Sequence, residues 1–211
     1  TYQALPLTIA GWCKGSNSVA GVFPNNPVAY IYSRYGLYLT RTEFTAYNNS
    51  EWITVSGTEA PIPTDDYWHH YAGSIALNGD MKFFIDGEEI GSTSYTGINP
   101  RHEGEPGMIG AYMPEDDDPV PAAEPSHFKG NIKEVAIFSS ADVDIQTLYN
   151  NLVTWDLSGL DDLEAYWRIQ AGSGDTITDQ SGNGNTGQRF GATWATANGL
   201  TGWALIGSGP T

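Results

Sequence analysis

Three groups of residues in this chain have the makings of a site. The run Glu115-Asp116-Asp117-Asp118 and the turn Asp179-Gln180-Ser181-Gly182-Asn183-Gly184-Asn185 both cluster oxygen donors, which is what Ca2+ takes from flexible acidic loops. The expected ligands are Asp116, Asp117 and Asp118 in the first and Asp179, Asn183 and Asn185 in the second. Each also has a plainer reading: a solvated acidic loop, and a turn in which Asp179 caps its own backbone amides. The second lacks the closing Glu of an EF-hand loop. His69 and His70 invite zinc, but neighbours on a strand point to opposite faces and do not easily share one ion. One is expected to be packed and the other exposed. His102 and His127 stand alone in loop sequence, and no Ser-His-Asp order, P-loop or dinucleotide fingerprint is present.

The third group is aromatic. Glycan recognition uses exposed aromatic faces beside planar polar groups, and Tyr30, Tyr32, Tyr35, Tyr38, Tyr47, Trp52, Tyr95 and Tyr112 supply the rings. Many must be core or cross-strand pairs, because half of each sandwich strand faces inward. Tyr35 and Tyr112, in or beside turns, are the expected exposed pair. Arg101 and His102 join them as ligand-binding candidates, since they lie in the 97–126 stretch, the longest departure from regular pattern. A loop of that length inside a compact domain is functional or disordered.

The elements that must hold these residues are strands. Tyr67 to Ile75 and Lys82 to Gly87 are rich in aromatic and β-branched residues, with Asn78-Gly79-Asp80 between them as a tight turn. Asp86-Gly87 is a second turn signal, after which Glu88 to Thr93 starts a third antiparallel strand. Leu7 to Lys14, Val28 to Ser33, Gly36 to Thr42, Glu43 to Tyr47 and Glu51 to Val55 read as further strands. After a strand from Phe128 to Phe138, the apolar spacing of Ile145, Leu148, Tyr149 and Leu152 predicts a short helix over 142–150, capped by Ser139, Ser140 or Asp142.

Three of these segments together resemble the concanavalin A-like superfamily, in its laminin G-like and pentraxin-like branch. They are Trp68-His69-His70-Tyr71-Ala72 with Phe83-Phe84-Ile85-Asp86-Gly87, the strand Phe128 to Phe138, and Ala165-Tyr166-Trp167 with the Asp179 to Asn185 turn. The resemblance implies an all-β fold: an antiparallel β-sandwich jelly roll with one short helix near 142–150. It also implies one domain over 1–211, possibly permuted, in which 163–211 supply strands that usually open the domain, while the strand that usually precedes Leu7 is absent or cut short. Glycoside hydrolases on this fold carry a Glu-x-Asp-x-x-Glu strand that sets carboxylates about 5 Å apart. This chain has no such strand, so a non-catalytic module is expected.

Composition bounds the partners. The 211 residues carry 25 acidic and 9 basic side chains, a net charge of −16. Nucleic acid is excluded as a partner for want of cations to neutralise phosphate, anionic membrane surfaces would repel the chain, and no apolar run approaches the roughly 20 residues needed to insert in a bilayer. The single cysteine, Cys13, sits in strand sequence and is expected to be buried. The family resemblance, together with the missing catalytic strand and the long acidic loop, implies a surface recognition module, extracellular or on a virion, with a glycan or cell-surface polysaccharide as ligand and Ca2+ ordering the acidic loop. Two alternatives stand beside it: a virion structural protein that assembles with neighbouring copies as a homo-oligomer, and an accessory carbohydrate-binding module of a larger enzyme.

Overall fold

The computed structural model describes residues 5–15, 29–31, 37–47, 51–57, 63, 65–95, 107–111, 128, 130–150, 155–196 and 203–206. Its centre is the meander of β6 (His69–Ile75), β7 (Asp80–Ile85) and β8 (Glu88–Ser94). Tyr71, Gly73 and Ile75 stand opposite Ile85, Phe83 and Met81. All these side chains turn to one face because the strand repeat is two residues. The Asn78-Gly79 turn needs its glycine. Gly79 has φ +89°, and a Cβ there would lie 2.2 Å from the Tyr95 carbonyl oxygen.

β1 (Leu7–Lys14) lies between β6 and β10 (Asn131–Phe138), antiparallel to both. The long sheet runs β14 (Thr193–Thr196), β15 (Trp203–Ile206), β10, β1, β6, β7, β8, with β11 (Leu163–Trp167) also paired to β10. β11 takes the half of β10 from Val135 to Phe138 and β15 takes Asn131 and Ile132, so both neighbours of that edge come from the C-terminal part of the chain. The second sheet has five strands in the order β5 (Trp52–Ser56), β4 (Glu43–Tyr47), β3 (Leu37–Leu39), β2 (Ala29–Ile31), β9 (Met108–Ile109). β12 (Thr176–Ile177) and β13 (Gly187–Gln188) form a separate small ladder.

The core fills the space between the two sheets. Ile9, Tyr71, Ile75, Met81 and Phe83 of the first meet Leu37, Leu39, Phe44 and Val55 of the second. Burying each such side chain contributes about 1.5–3 kcal/mol. At Gly73 a Cβ would lie 2.3 Å from the Phe44 ring, so the ring rests on bare strand backbone.

The other face of the long sheet carries Ala136, Ala10 and Ala72 side by side on β10, β1 and β6. Three methyls in a row leave a shallow seat, and α1 (Ile145–Tyr149) drops Ile145 and Leu148 into it beside Phe138, Leu157 and Tyr166. The helix starts later than its sequence suggests. Its cap is Asp144, whose carboxylate accepts from Thr147 N–H, while Ser140 Oγ accepts from Asp142 N–H. Asp144 therefore flanks the first turn and does not sit within it. β3 also ends earlier than expected, at Leu39. Thr40 Oγ1 there accepts from the N–H groups of Thr42 and Glu43 and closes a turn in place of a strand.

Candidate functional site

β4 and β5 place their alternate residues on two faces. Phe44, Ala46 and Val55 enter the core. On the opposite set of positions the register pairs Glu43 with Ser56, Thr45 with Thr54 and Tyr47 with Trp52. The last pair forms an aromatic corner with ring centroids 5.1 Å apart and planes tilted by 58°. Trp52 is 46% exposed, an unusual state for so large a ring. Tyr95 steadies the corner by donating its hydroxyl to the Tyr47 carbonyl at 2.9 Å. The hydroxyls of Thr45 and Thr54 lie 3.0 Å apart; Thr45 is fully buried, whereas Thr54 and Ser56 are exposed. Trp52, Thr54 and Ser56 thus form an accessible column along the edge strand, about 13 Å long at the strand rise.

The residues that sequence reasoning nominated for ligand binding, Tyr35, Arg101, His102 and Tyr112, lie outside the described residues, as do Asp116, Asp117 and Asp118. β9 interrupts the stretch that carries most of them, and it borders β2 at the far edge of the five-stranded sheet. The Tyr47–Trp52 corner occupies the near edge of that same sheet, roughly 19 Å away at four strand spacings. Sequence reasoning counted Trp52 among the rings but did not separate it from the core. No local sequence signal does so, because only the strand order places β5 at an edge, where one side is unpaired.

The Asp179 turn is described, and its carboxylate is occupied. Oδ1 accepts from the N–H groups of Tyr166 and Ser181, each at 2.9 Å, and Oδ2 accepts from Ser181 Oγ and from Asn185 N–H at 2.9 and 2.8 Å. An ionised carboxylate offers about four acceptor positions, and internal donors fill them all. Burial works to raise its pKa, but these donors outweigh it and hold the carboxyl below the usual range. Asn183 and Asn185 both donate to the Glu164 carbonyl, and Trp167 Nε1 donates to the Asn185 carbonyl at 2.7 Å. The turn is thereby clipped to β11, and the Ala165-Tyr166-Trp167 and Asp179 to Asn185 motifs are two halves of one hydrogen-bonded unit.

A second buried polar group surrounds Glu134, at a bulge of β10 where φ is +52°. Its carboxylate accepts from the Tyr166 hydroxyl and from Gln170 Nε2 at 2.9 Å, with Lys133 Nζ and Arg168 Nε each 3.7 Å away. Burial raises the Glu134 pKa against the pull of these partners. The adjoining cavity, lined by Trp12, His70, Glu134, Leu148 and Trp155 among others, is about 10 Å³, room for one water and far too small for a sugar.

The two histidines part as strand geometry requires, yet neither is fully exposed. His70 is 2% exposed, packed on Trp12 with ring centroids 5.3 Å apart, and burial pushes its pKa down to about 4. His69 is half-buried between two carboxylates. No group of three or more His, Cys, Asp or Glu side chains that could hold a metal ion occurs among the described residues.

A family profile, the Laminin_G_3 branch of the concanavalin A-like lectin/glucanases superfamily, matches residues 5–142. The chain belongs to this laminin G-like family. Its match runs from β1 through the hairpin to the approach to α1, so the family segment contains both faces of the sandwich and the Tyr47–Trp52 corner. Solved structures carry a likeness of fold beyond that segment. A protein from Bacteroides ovatus assigned to carbohydrate binding aligns over 88% of this laminin G-like chain at 15% identity with a TM-score of 0.62. The chain covers 52% of that protein, about half its length. Domain 4 of AbnA, an extracellular arabinanase from Geobacillus stearothermophilus solved with arabinotriose, aligns over 70% of the chain and 68% of its own length, at 19% identity and a TM-score of 0.51. At these identities the likeness is one of fold. No curated protein matches the chain.

Proposed function

We propose that this laminin G-like domain is a non-catalytic module that binds a glycan at a cell surface or outside the cell, using the exposed column of β5 at the edge of its five-stranded sheet. The observation that carries the reading is the Tyr47–Trp52 corner: a large ring, nearly half exposed, set against the half-buried Tyr47 and followed along its strand by two exposed hydroxyls. An apolar sugar face stacks on such a ring while hydroxyls read the sugar edges. Two solved neighbours support the ligand class, one assigned to carbohydrate binding and the other solved with arabinotriose. The non-catalytic part rests on the buried carboxylates. Glu134 is enclosed by Tyr166, Gln170, Lys133 and Arg168, and Asp179 by N–H and O–H donors, so neither is placed to protonate a glycosidic oxygen.

Calcium enters this reading through Asp116, Asp117 and Asp118, because the oxygens of Asp179 are already spent on internal donors. The test is a panel of polysaccharides titrated into the native chain and into Trp52→Ala, each with calcium and with chelator. Binding by the native chain that weakens at least about tenfold in Trp52→Ala, equivalent to ~1.4 kcal/mol, with an unchanged melting curve, is the expected result. Equal binding by the two proteins, or release of reducing sugar by the native chain, overturns the reading.

A further inference from the structure

We propose that His69 is a proton-operated latch, whose imidazolium bridges Asp65 and Asp86 and so fastens the chain segment holding Pro63, Asp65 and Asp66 across one end of the sandwich. His69 Nδ1 lies 2.6 Å from Asp86 Oδ2, and Nε2 lies 2.8 Å from Asp65 Oδ1. Ionised carboxylates only accept, so both ring nitrogens must donate, and only the doubly protonated ring has two N–H groups. The neutral ring keeps one bond and loses the other.

Which bond is lost follows from the two anchors. Asp86 is held in the β7–β8 turn: its Oδ1 accepts from His70 N–H at 2.9 Å, and its own N–H donates to the His70 carbonyl at 2.8 Å. The Asp86 side chain is 28% exposed against 47% for Asp65. The neutral ring therefore stays with Asp86 and lets Asp65 go.

The charges facing His69 come from every element around it. Asp65 and Asp66 stand on the fastened segment, Asp86 on the β7–β8 turn, Glu88 at the start of β8, Cys13 and Lys14 on β1, Tyr71 on its own strand, and Arg41 on the turn between β3 and β4. Lys14 pairs with Asp66 at 3.8 Å, and Arg41 donates to the Pro63 carbonyl at 3.0 Å while acting electrostatically on Asp65. Arg41 and His69 together offset Asp65 and Asp86, so loss of the His69 proton leaves one negative charge uncompensated in a chain with 25 acidic and 9 basic side chains. Burial alone would lower the His69 pKa, but Asp86 and Asp65 outweigh it and hold the ring protonated above the ordinary histidine range. The latch is closed below that raised value and opens as pH rises through it.

Cys13 reports the opening. It is the chain's single cysteine, 1% exposed, and its backbone stands opposite His69 across the β1–β6 ladder. The native chain would be labelled with an aromatic disulfide reagent from about pH 6 to about pH 9, each rate divided by that of the unfolded chain at the same pH, with the His69 ring followed by NMR. The expected result is a rise of about tenfold in normalised rate, the worth of one charge-assisted hydrogen bond, at the pH where His69 titrates. His69→Gln should label at the faster rate throughout, and Asp65→Asn should move the step to lower pH. A flat wild-type profile, a step retained in His69→Gln, or a His69 that titrates below a free histidine overturns the latch.

Discussion

Taking the domain from about pH 7 to about pH 5 should cost it about 2 kcal/mol of stability through His70 alone. The ring is 2% exposed, and Nδ1 has no hydrogen-bond partner among the described residues, so burial outweighs the attraction of Asp86 for a charge placed there. Its pKa is about 4 when folded against an ordinary 6.5. Between those values the unfolded chain holds the proton and the folded chain does not, so stability rises with pH across that window and falls as acid is added. At 1.36 kcal/mol per pH unit the whole gap is worth about 3 kcal/mol, of which roughly 2 accrues by pH 5. The assay is urea denaturation of the wild type and of His70→Phe at both pH values. Phenylalanine keeps an aromatic ring against Trp12 and Tyr149 but cannot take a proton. With an m-value of about 2 kcal/mol per molar, the wild-type midpoint should drop by about 1 M relative to the variant. Parallel pH profiles for the two proteins would refute the reasoning, because the carboxylates that titrate lower are common to both.

Two substitutions test the packing. Asp179→Ala should destabilise the domain by about 3 kcal/mol, since the backbone donors of Tyr166, Ser181 and Asn185 lose their acceptor together. Because the folded Asp179 pKa is depressed, its contribution is full above the unfolded value and disappears as pH falls through the folded one, so the Ala variant should show a shallower acid limb in thermal melts. Gly73→Ala should cost about 1–3 kcal/mol by pushing a methyl into the Phe44 ring, and Gly73→Ala combined with Phe44→Leu should recover part of that loss in chemical denaturation.

The strand ladder was legible because period-two alternation and turn chemistry are local. Asn78-Gly79 and Asp86-Gly87 announce their turns, and β6, β7 and β8 fall within a residue or two of their expected bounds. The helix was legible from Ile145 and Leu148, but its start was not. Ser140, Asp142 and Asp144 are all competent caps, and the seat of alanines on β10, β1 and β6 decides which turn of chain can pack. The exposure of Trp52 was hidden for a related reason: in sequence its neighbours alternate as they would on any strand, and only the strand order makes β5 an edge.

The sequence by itself determined the class of fold, the single buried thiol, the opposed faces of His69 and His70, and the strongly acidic charge. Each depends on residue type or on spacing along the chain. Tertiary structure decided what chemistry remains open at each place. The Asp179 carboxylate accepts from four internal donors, among them the N–H of Tyr166 from a strand thirteen residues earlier. The pKa of His69 is raised and that of His70 lowered, although they are adjacent, because one faces Asp65 and Asp86 and the other is buried against Trp12. A pKa is set by the charges and water within a few ångströms, and which groups those are is known only once the sheets have packed.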